Sequence, residues 1–434
     1  MKLWKDAQAS YMPILKKIKR EMVEGKTLLG FGALRSIGQG LAMLEPLIVA
    51  KIFAPELFAS YILAKMIVYF FLTLTIVSST SPFIVFASQE RVETGKINRT
   101  FSVQLTFLTA GILVFVAIIL PFQNYFAAFA GISSGDLAFV LLACVGLALK
   151  TFVCNLLMAI NARVRCAAAE LTFGILSLAL LLYLCFIGKV NIKSVFLVQF
   201  IASLLAAGIF ARSIDFRMMS PFHLDGSHLR QMFAFTKWVF VGAMAIFLVD
   251  WGDNLVMRYF VPMGQIGIYN FAYQIFKGII VLITIVDSYF TPFVSMNIGN
   301  KEVIKTYMYS KRPKVAMFGL AVICILFFAV PPAAGLVYKN VYRGSNGILM
   351  VLLISAVLAL YSAFFIPLWD SLKRYRFAQV VNISQGAAKI ILGLILVPLI
   401  GIYGAAIATV SVYLLRAVSY EIYFRKYIKG LLRE

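Results

Sequence analysis

The 434 residues are 62% hydrophobic and only 13% charged, with a mean hydropathy of +0.92. Soluble domains run at about 45–50% apolar, and a soluble chain this greasy would expose patches far beyond what monomers tolerate. The 40 Lys and Arg stand against 18 Asp and Glu, a formal charge of +22; in a membrane chain such an excess sets orientation, and no nucleic-acid partner is expected.

Residues 1–26 are polar and basic. Tyr11, Ile14, Leu15, Ile18 and Met22 recur at helical spacing beside Lys16, Lys17, Lys19 and Arg20, which suits a helix lying on an anionic lipid surface; a disordered basic tail is the alternative. The apolar run that starts near Thr27 is too long for a cleavable signal peptide. From there, apolar windows predict an all-α integral membrane protein with twelve spans. They cover roughly 27–51, 57–88, 100–121, 137–160, 166–188 and 194–212, then 233–258, 264–297, 314–336, 345–369, 377–400 and 402–424. The polar loop 213–232 divides an N-terminal six-helix bundle, 27–212, from a C-terminal one, 233–424, and a short tail covers 425–434.

With the N-terminus placed in the cytoplasm, the cytoplasmic segments hold 27 basic residues and the opposite loops six. That bias predicts a multi-pass protein with both termini cytoplasmic. The outer loops are short, and the longest, 122–136, has no basic residue and no room for a catalytic domain, which argues against an enzyme. The five cysteines sit in or beside apolar runs without CxxC spacing, and the only histidines, His223 and His228, cannot hold zinc alone. No metal or cofactor is expected.

The two halves resemble each other. Leu47-Ile-Val-Ala-Lys51-Ile-Phe53-Ala-Pro55 resembles Asn254-Leu-Val-Met-Arg258-Tyr-Phe260-Val-Pro262, and Tyr61-Ile-Leu-Ala64 matches Tyr269-Asn-Phe-Ala272 after a one-residue slip. Two halves with an even number of crossings share one orientation, so they form a parallel repeat around a central cavity, as in alternating-access transporters.

Seven basic residues fall inside spans: Arg35, Lys65, Lys150, Lys237, Lys277, Lys389 and Arg416. Acidic companions are Glu45, Glu170, Asp250, Asp253 and Asp287. A charge facing lipid costs about 3 kcal/mol on insertion scales, so most must face water or one another. Lys237, Arg416 and Glu170 lie near span ends, where they can snorkel. Glu45 precedes Pro46 and can satisfy backbone freed by a kink. Asn270, Gln274 and Lys277 share one helical face, and Gln379, Asn382, Gln385 and Lys389 form another stripe. Arg35, Lys65, Lys150, Lys277 and Lys389 are therefore the expected cavity cations. Asn270, Gln274, Asn382 and Gln385 are the expected polar lining, and Asp250, Asp253 and Asp287 the candidate coupling residues. Cations in excess of acids favour an anionic cargo such as a lipid phosphate.

Val397-Pro398-Leu-Ile-Gly401-Ile-Tyr-Gly404-Ala405-Ala406-Ile-Ala408-Thr409 resembles the turn between the last two spans of the polysaccharide and O-antigen flippases. Asp253 through Phe260, followed by Gly267-Ile-Tyr269-Asn-Phe-Ala272, resembles their seventh-to-eighth span signature. These belong to the multidrug/oligosaccharidyl-lipid/polysaccharide exporter superfamily. The resemblance implies a flippase that moves undecaprenyl-pyrophosphate-linked oligosaccharide units across the bacterial inner membrane. It further implies membrane lipids, a glycan polymerase and a chain-length regulator as partners, and H+ or Na+ as a coupling ion. A multidrug/cation antiporter of the same superfamily and a membrane glycan polymerase or ligase are the competing readings. An acid-lined cavity would favour the antiporter.

Overall fold

Apolar runs set the helices, and side-chain caps fix the starts of only some of them. A computed structural model describes residues 30–338, 341–372 and 374–427, and their side chains except at 285–289, 292, 296, 375 and 427. Helix α1 covers 30–52. After it come α2 (Pro55–Leu72), α3 (Ser78–Thr94), α4 (Asn98–Ile119), α5 (Gln123–Ala130), α6 (Ser134–Ala159), α7 (Arg163–Phe186) and α8 (Ile192–Ala211). The second half holds α9 (Gly226–Phe260), α10 (Met263–Asn297), α11 (Lys301–Thr306), α12 (Arg312–Val337), α13 (Ser345–Ala363), α14 (Ile366–Ser371), α15 (Tyr375–Ile400) and α16 (Ile402–Tyr427). Eleven helical stretches of the described residues are long and apolar enough to cross a membrane, and α1 before them completes the twelve-helix, multi-pass architecture.

Several boundaries differ from those expected, each for a local reason. The helix expected from 233 begins at Gly226, because the Asp225 carboxylate accepts from the Ser227 amide and caps the helix seven residues earlier. The outer loop 122–136 contains α5, and Gly131 (φ +68°) ends it in the left-handed conformation that glycine adopts freely. α6 then starts on a reciprocal Ser133–Asp136 capping box. Both α9 and α10 are 35 residues long. At about 1.5 Å per residue they exceed the ~30 Å hydrocarbon core and must tilt or protrude.

The second span is not one regular helix. A π-helical turn, Thr73–Val77, separates α2 from α3, and Pro82 sits inside α3. Carbonyls loosened by such irregularity need partners where there is no water. Thr75 donates to the Phe71 carbonyl (2.8 Å), while Ser79 and Thr80 both donate to that of Ile76 (3.1 and 3.0 Å). The polar run here thus repairs the main chain.

Each half has its own apolar core. One is built from residues 49–196 with Phe247, Phe271 and Tyr342 reaching in; the other spans 256–424, with Ala59 reaching in. The halves close on each other at the end that carries the 53–54 and 261–262 turns. There Tyr338 and Tyr342 donate to the carbonyls of Leu47 (3.2 Å) and Phe53 (3.0 Å). Arg258 donates to the carbonyls of Phe129 (2.6 Å) and Ala128 (2.8 Å), which finish α5. α2 crosses α10 closely, and a Cβ at Gly267 would run into the Pro55 carbonyl. At the other end the 212–225 segment is pinned to the first half: Lys96 and Asn98 donate to the carbonyls of Ser220 and Pro221, and the His223 amide donates to Ser102 Oγ.

The motif between the last two spans is a close-packing device. Gly401 (φ +61°) breaks the chain direction, and a Cβ at Gly404 would strike the Leu396 main chain. Small residues here let α15 and α16 meet.

Candidate substrate cavity

The middle turns of α1, α2, α6, α7, α9 and α10 enclose a cavity of about 570 Å³ between the halves. Six charged residues line it: Glu45, Lys65, Lys150, Glu170, Asp250 and Lys277. Desolvated charges must pair, and the carboxylates here all do. Asp250 takes Lys277 at 2.5 Å, Glu45 takes Lys65 at 3.8 Å, and Glu170 takes Arg35 at 3.5 Å. Lys150 has no ion-pair partner among the described residues; its ammonium stands 4.5 Å over the Phe173 ring. The lining is therefore close to electroneutral, with one cation that has no carboxylate partner among the described residues. This corrects the expectation of a broadly cationic interior, since most of the in-span lysines are neutralised in place.

Glu45 is the hub of the first half. Its Oε1 accepts from Tyr61 (2.7 Å) and from Gln199 (2.5 Å), and Lys65 bonds the same tyrosine oxygen at 3.0 Å. The second half repeats the arrangement. Asp253 Oδ2 accepts from Tyr269 and from Thr409 (3.0 Å), and Lys389 pairs with it at 2.6 Å. Asp253 follows Glu45, and Tyr269 follows Tyr61, by 208 residues in each case. Gln199 and Thr409 both come from the last helix of their half. The repeat read from the sequence therefore carries an acid–tyrosine–cation cluster in each half.

The structure separates the expected site residues into groups. Lys65, Lys150, Lys277, Gln274 and Asp250 line the cavity. Arg35 lies outside the lining, with a side chain 47% exposed, and reaches in only through Glu170. Lys389, expected in the cavity, is instead enclosed in the second half with no exposed side-chain surface, and Asp253 is enclosed with it. The stripe that contains Lys389 faces α9 and α16 rather than the cavity. A Cβ on Gly242 of α9 would meet Gln379, and Gln385 donates to the Val412 carbonyl at 2.8 Å. Asn382 is half-buried on that helix, outside the lining. Asn270 is buried and donates to Asn254 (2.6 Å) and to the Ile266 carbonyl (2.9 Å). The Asp287 side chain lies outside the described residues. Glu45 and Glu170 are the cavity residues that the sequence reading put to other uses; the 208-residue offset from Asp253 was the available signal for Glu45. Among the described residues no cluster of His, Cys, Asp and Glu could hold a metal ion.

No protein-family model matches the sequence, and no curated protein matches it. Solved structures do match across nearly the full chain. The inward-facing conformation of a multidrug resistance MATE family transporter of the MOP superfamily is 14% identical, with a TM-score of 0.71 over 93% of this chain and 96% of that one. The fold is that of the MATE transporters. A mutant of the Vibrio cholerae MATE transporter VcmN is 13% identical, with a TM-score of 0.67 over 94% of this chain and 98% of that one. A MOP superfamily transporter from Pyrococcus furiosus, described as having a binding pocket of reversed polarity that suggests a different function, is 15% identical. Its TM-score is 0.67 over 94% of this chain and 96% of that one. These structural neighbours of the MATE fold are transporters rather than enzymes.

Proposed function

We propose that this protein is an alternating-access flippase for a lipid-pyrophosphate-linked oligosaccharide, working from the cytoplasmic to the periplasmic leaflet of a bacterial inner membrane. The observation that carries this reading is the charge state of the cavity. Each lining carboxylate is engaged by a cation, and Lys150 is left over. An organic cation would need a carboxylate free to receive it; an anionic head group needs a free ammonium. The volume of about 570 Å³ falls within the ~300–1,000 Å³ of typical ligand pockets, which suits the pyrophosphate and its nearest sugars while the polyprenyl tail stays in lipid. The two-halved fold, closed at one end, supports a rocking exchange of access. Sidedness rests on the distribution of basic residues.

A second reading, multidrug/cation antiport, is favoured by the MATE transporters among the structural neighbours. Proteoliposomes separate the two. The first reading expects wild-type protein to flip a fluorescent polyprenyl-pyrophosphate oligosaccharide and to leave ethidium distribution unchanged. It also expects Lys150→Ala to lose about tenfold or more of the flipping rate, about 1.4 kcal/mol, while Lys150→Arg keeps most of it. Ethidium transport without glycolipid flipping overturns it in favour of antiport.

A further inference from the structure

The walls of the cavity differ in chemistry. Lys150 and Phe173 stand on α6 and α7, inside the first half. At the seam of α2, α9 and α10 the lining is more aromatic, with Tyr69, Phe247, Trp251 and Tyr273 beside one amide, Gln274, and the charged Lys65, Asp250 and Lys277. Tyr69 of α2 and Trp251 of α9 bring their ring centroids to 5.3 Å across the two halves, tilted by 31°. Tyr69 is 42% exposed although it lies in the middle of a span. Among the described residues, neither the Tyr69 hydroxyl nor the Gln274 amide has a hydrogen-bond partner, and both line the cavity. Directly beside Trp251 in the chain, Asp250 is held by Lys277 at 2.5 Å.

We infer that the Tyr69–Trp251 pair is a sugar-stacking surface, an assignment that rests on the flippase reading. A pyranose ring presents a face of C–H bonds and a rim of hydroxyls. The face wants an aromatic ring, and the rim wants groups that both donate and accept within a small radius. Tyr69 and Trp251 supply the rings. Gln274 and the Asp250–Lys277 bridge supply the mixed donors and acceptors, already charge-balanced, so a neutral sugar meets no unpaired charge. An aromatic cage for an organic cation would leave its carboxylate free, and Asp250 is taken. The cargo's anionic group then sits at Lys150 and its sugars at the seam. The rings belong to different halves, so rocking changes the separation of the two rings and releases the sugar.

Affinity measurements in nanodiscs test this with two probes: the lipid-linked oligosaccharide extracted from the host's own membranes, and bare polyprenyl pyrophosphate. The Tyr69→Leu/Trp251→Leu double variant should lose about tenfold in affinity for the glycosylated lipid, equivalent to about 1.4 kcal/mol, with bare lipid unchanged. Tyr69→Phe and Trp251→Phe, which keep the ring faces, should retain most of the preference. Equal losses for both lipids would mean that the pair only latches the halves together, and no loss for either would mean that sugars bind elsewhere; each overturns the inference while the flippase reading stands. Wild-type protein that binds neither lipid overturns the flippase reading itself.

Discussion

The two acid–tyrosine–cation clusters occupy equivalent places in the repeat, yet one is wet and the other dry. In the first half the lysine comes from α2, one turn beyond Tyr61, and reaches Glu45 at 3.8 Å from the cavity wall. In the second half the position equivalent to Lys65 is Tyr273, which stacks on Tyr269 at 5.7 Å. Tyr69 and Lys277 make the reverse exchange: at the 208-residue offset, Tyr-Lys-Tyr of α2 becomes Tyr-Tyr-Lys of α10. The cation for Asp253 must then come from α15, where Lys389 closes at 2.6 Å with no exposed surface. One swap between a lysine and a tyrosine thus turns a duplicated scaffold into a cavity-facing group on one side and a sealed structural joint on the other.

Breaking the clusters one at a time should give unequal losses. Asp253→Ala strands a buried ammonium and should cost about 3–5 kcal/mol, whereas Glu45→Ala leaves Lys65 within reach of cavity water and should cost about 1–3 kcal/mol. Thermal unfolding of the purified protein reads both. Adding Lys389→Met to Asp253→Ala should recover most of the larger loss, and equal costs for the two single variants would erase the distinction between wet and dry. Chemical access gives a sharper measure: an impermeant maleimide should label Lys65→Cys about tenfold or more faster than Thr409→Cys, because the latter reacts only through local opening. The smallest effect belongs to Arg35→Ala. With the Arg35 side chain 47% exposed, its pair with Glu170 should be worth no more than about 1 kcal/mol. A larger change would mean that the cavity's electroneutrality depends on that rim residue.

Hydropathy was enough to read the membrane-spanning helices, because lipid admits few alternatives. Caps such as Asp225 and Ser133 are equally local, and they account for the earlier start of α9 and the start of α6. The placement of side chains was less legible. Periodicity put Gln379, Asn382, Gln385 and Lys389 on one face of α15, but which neighbour that face meets is a property of helix rotation in the assembled bundle. It meets α9 and α16, so a stripe read as cavity lining became an interior joint. Glu45 was hidden for the opposite reason. A proline beside it offers a sufficient local explanation, and only the long-range offset to Asp253 connects it with Tyr61.

The closed end has an asymmetry that bears on how this protein can change over evolutionary time. Arg258, Tyr338 and Tyr342 of the second half all donate to main-chain carbonyls of the first, at Phe129, Ala128, Leu47 and Phe53. No substitution removes a carbonyl. At those four acceptor positions the first half can change side chains without losing the bonds, while the donating half is held to a few residue types; the Tyr125–Tyr259 hydroxyl pair (2.8 Å) beside them needs a side chain from each half. For these main-chain bonds the expected variation is one-sided, with tolerance at the acceptor positions and constraint at the three donors, whereas Tyr125 and Tyr259 should change together.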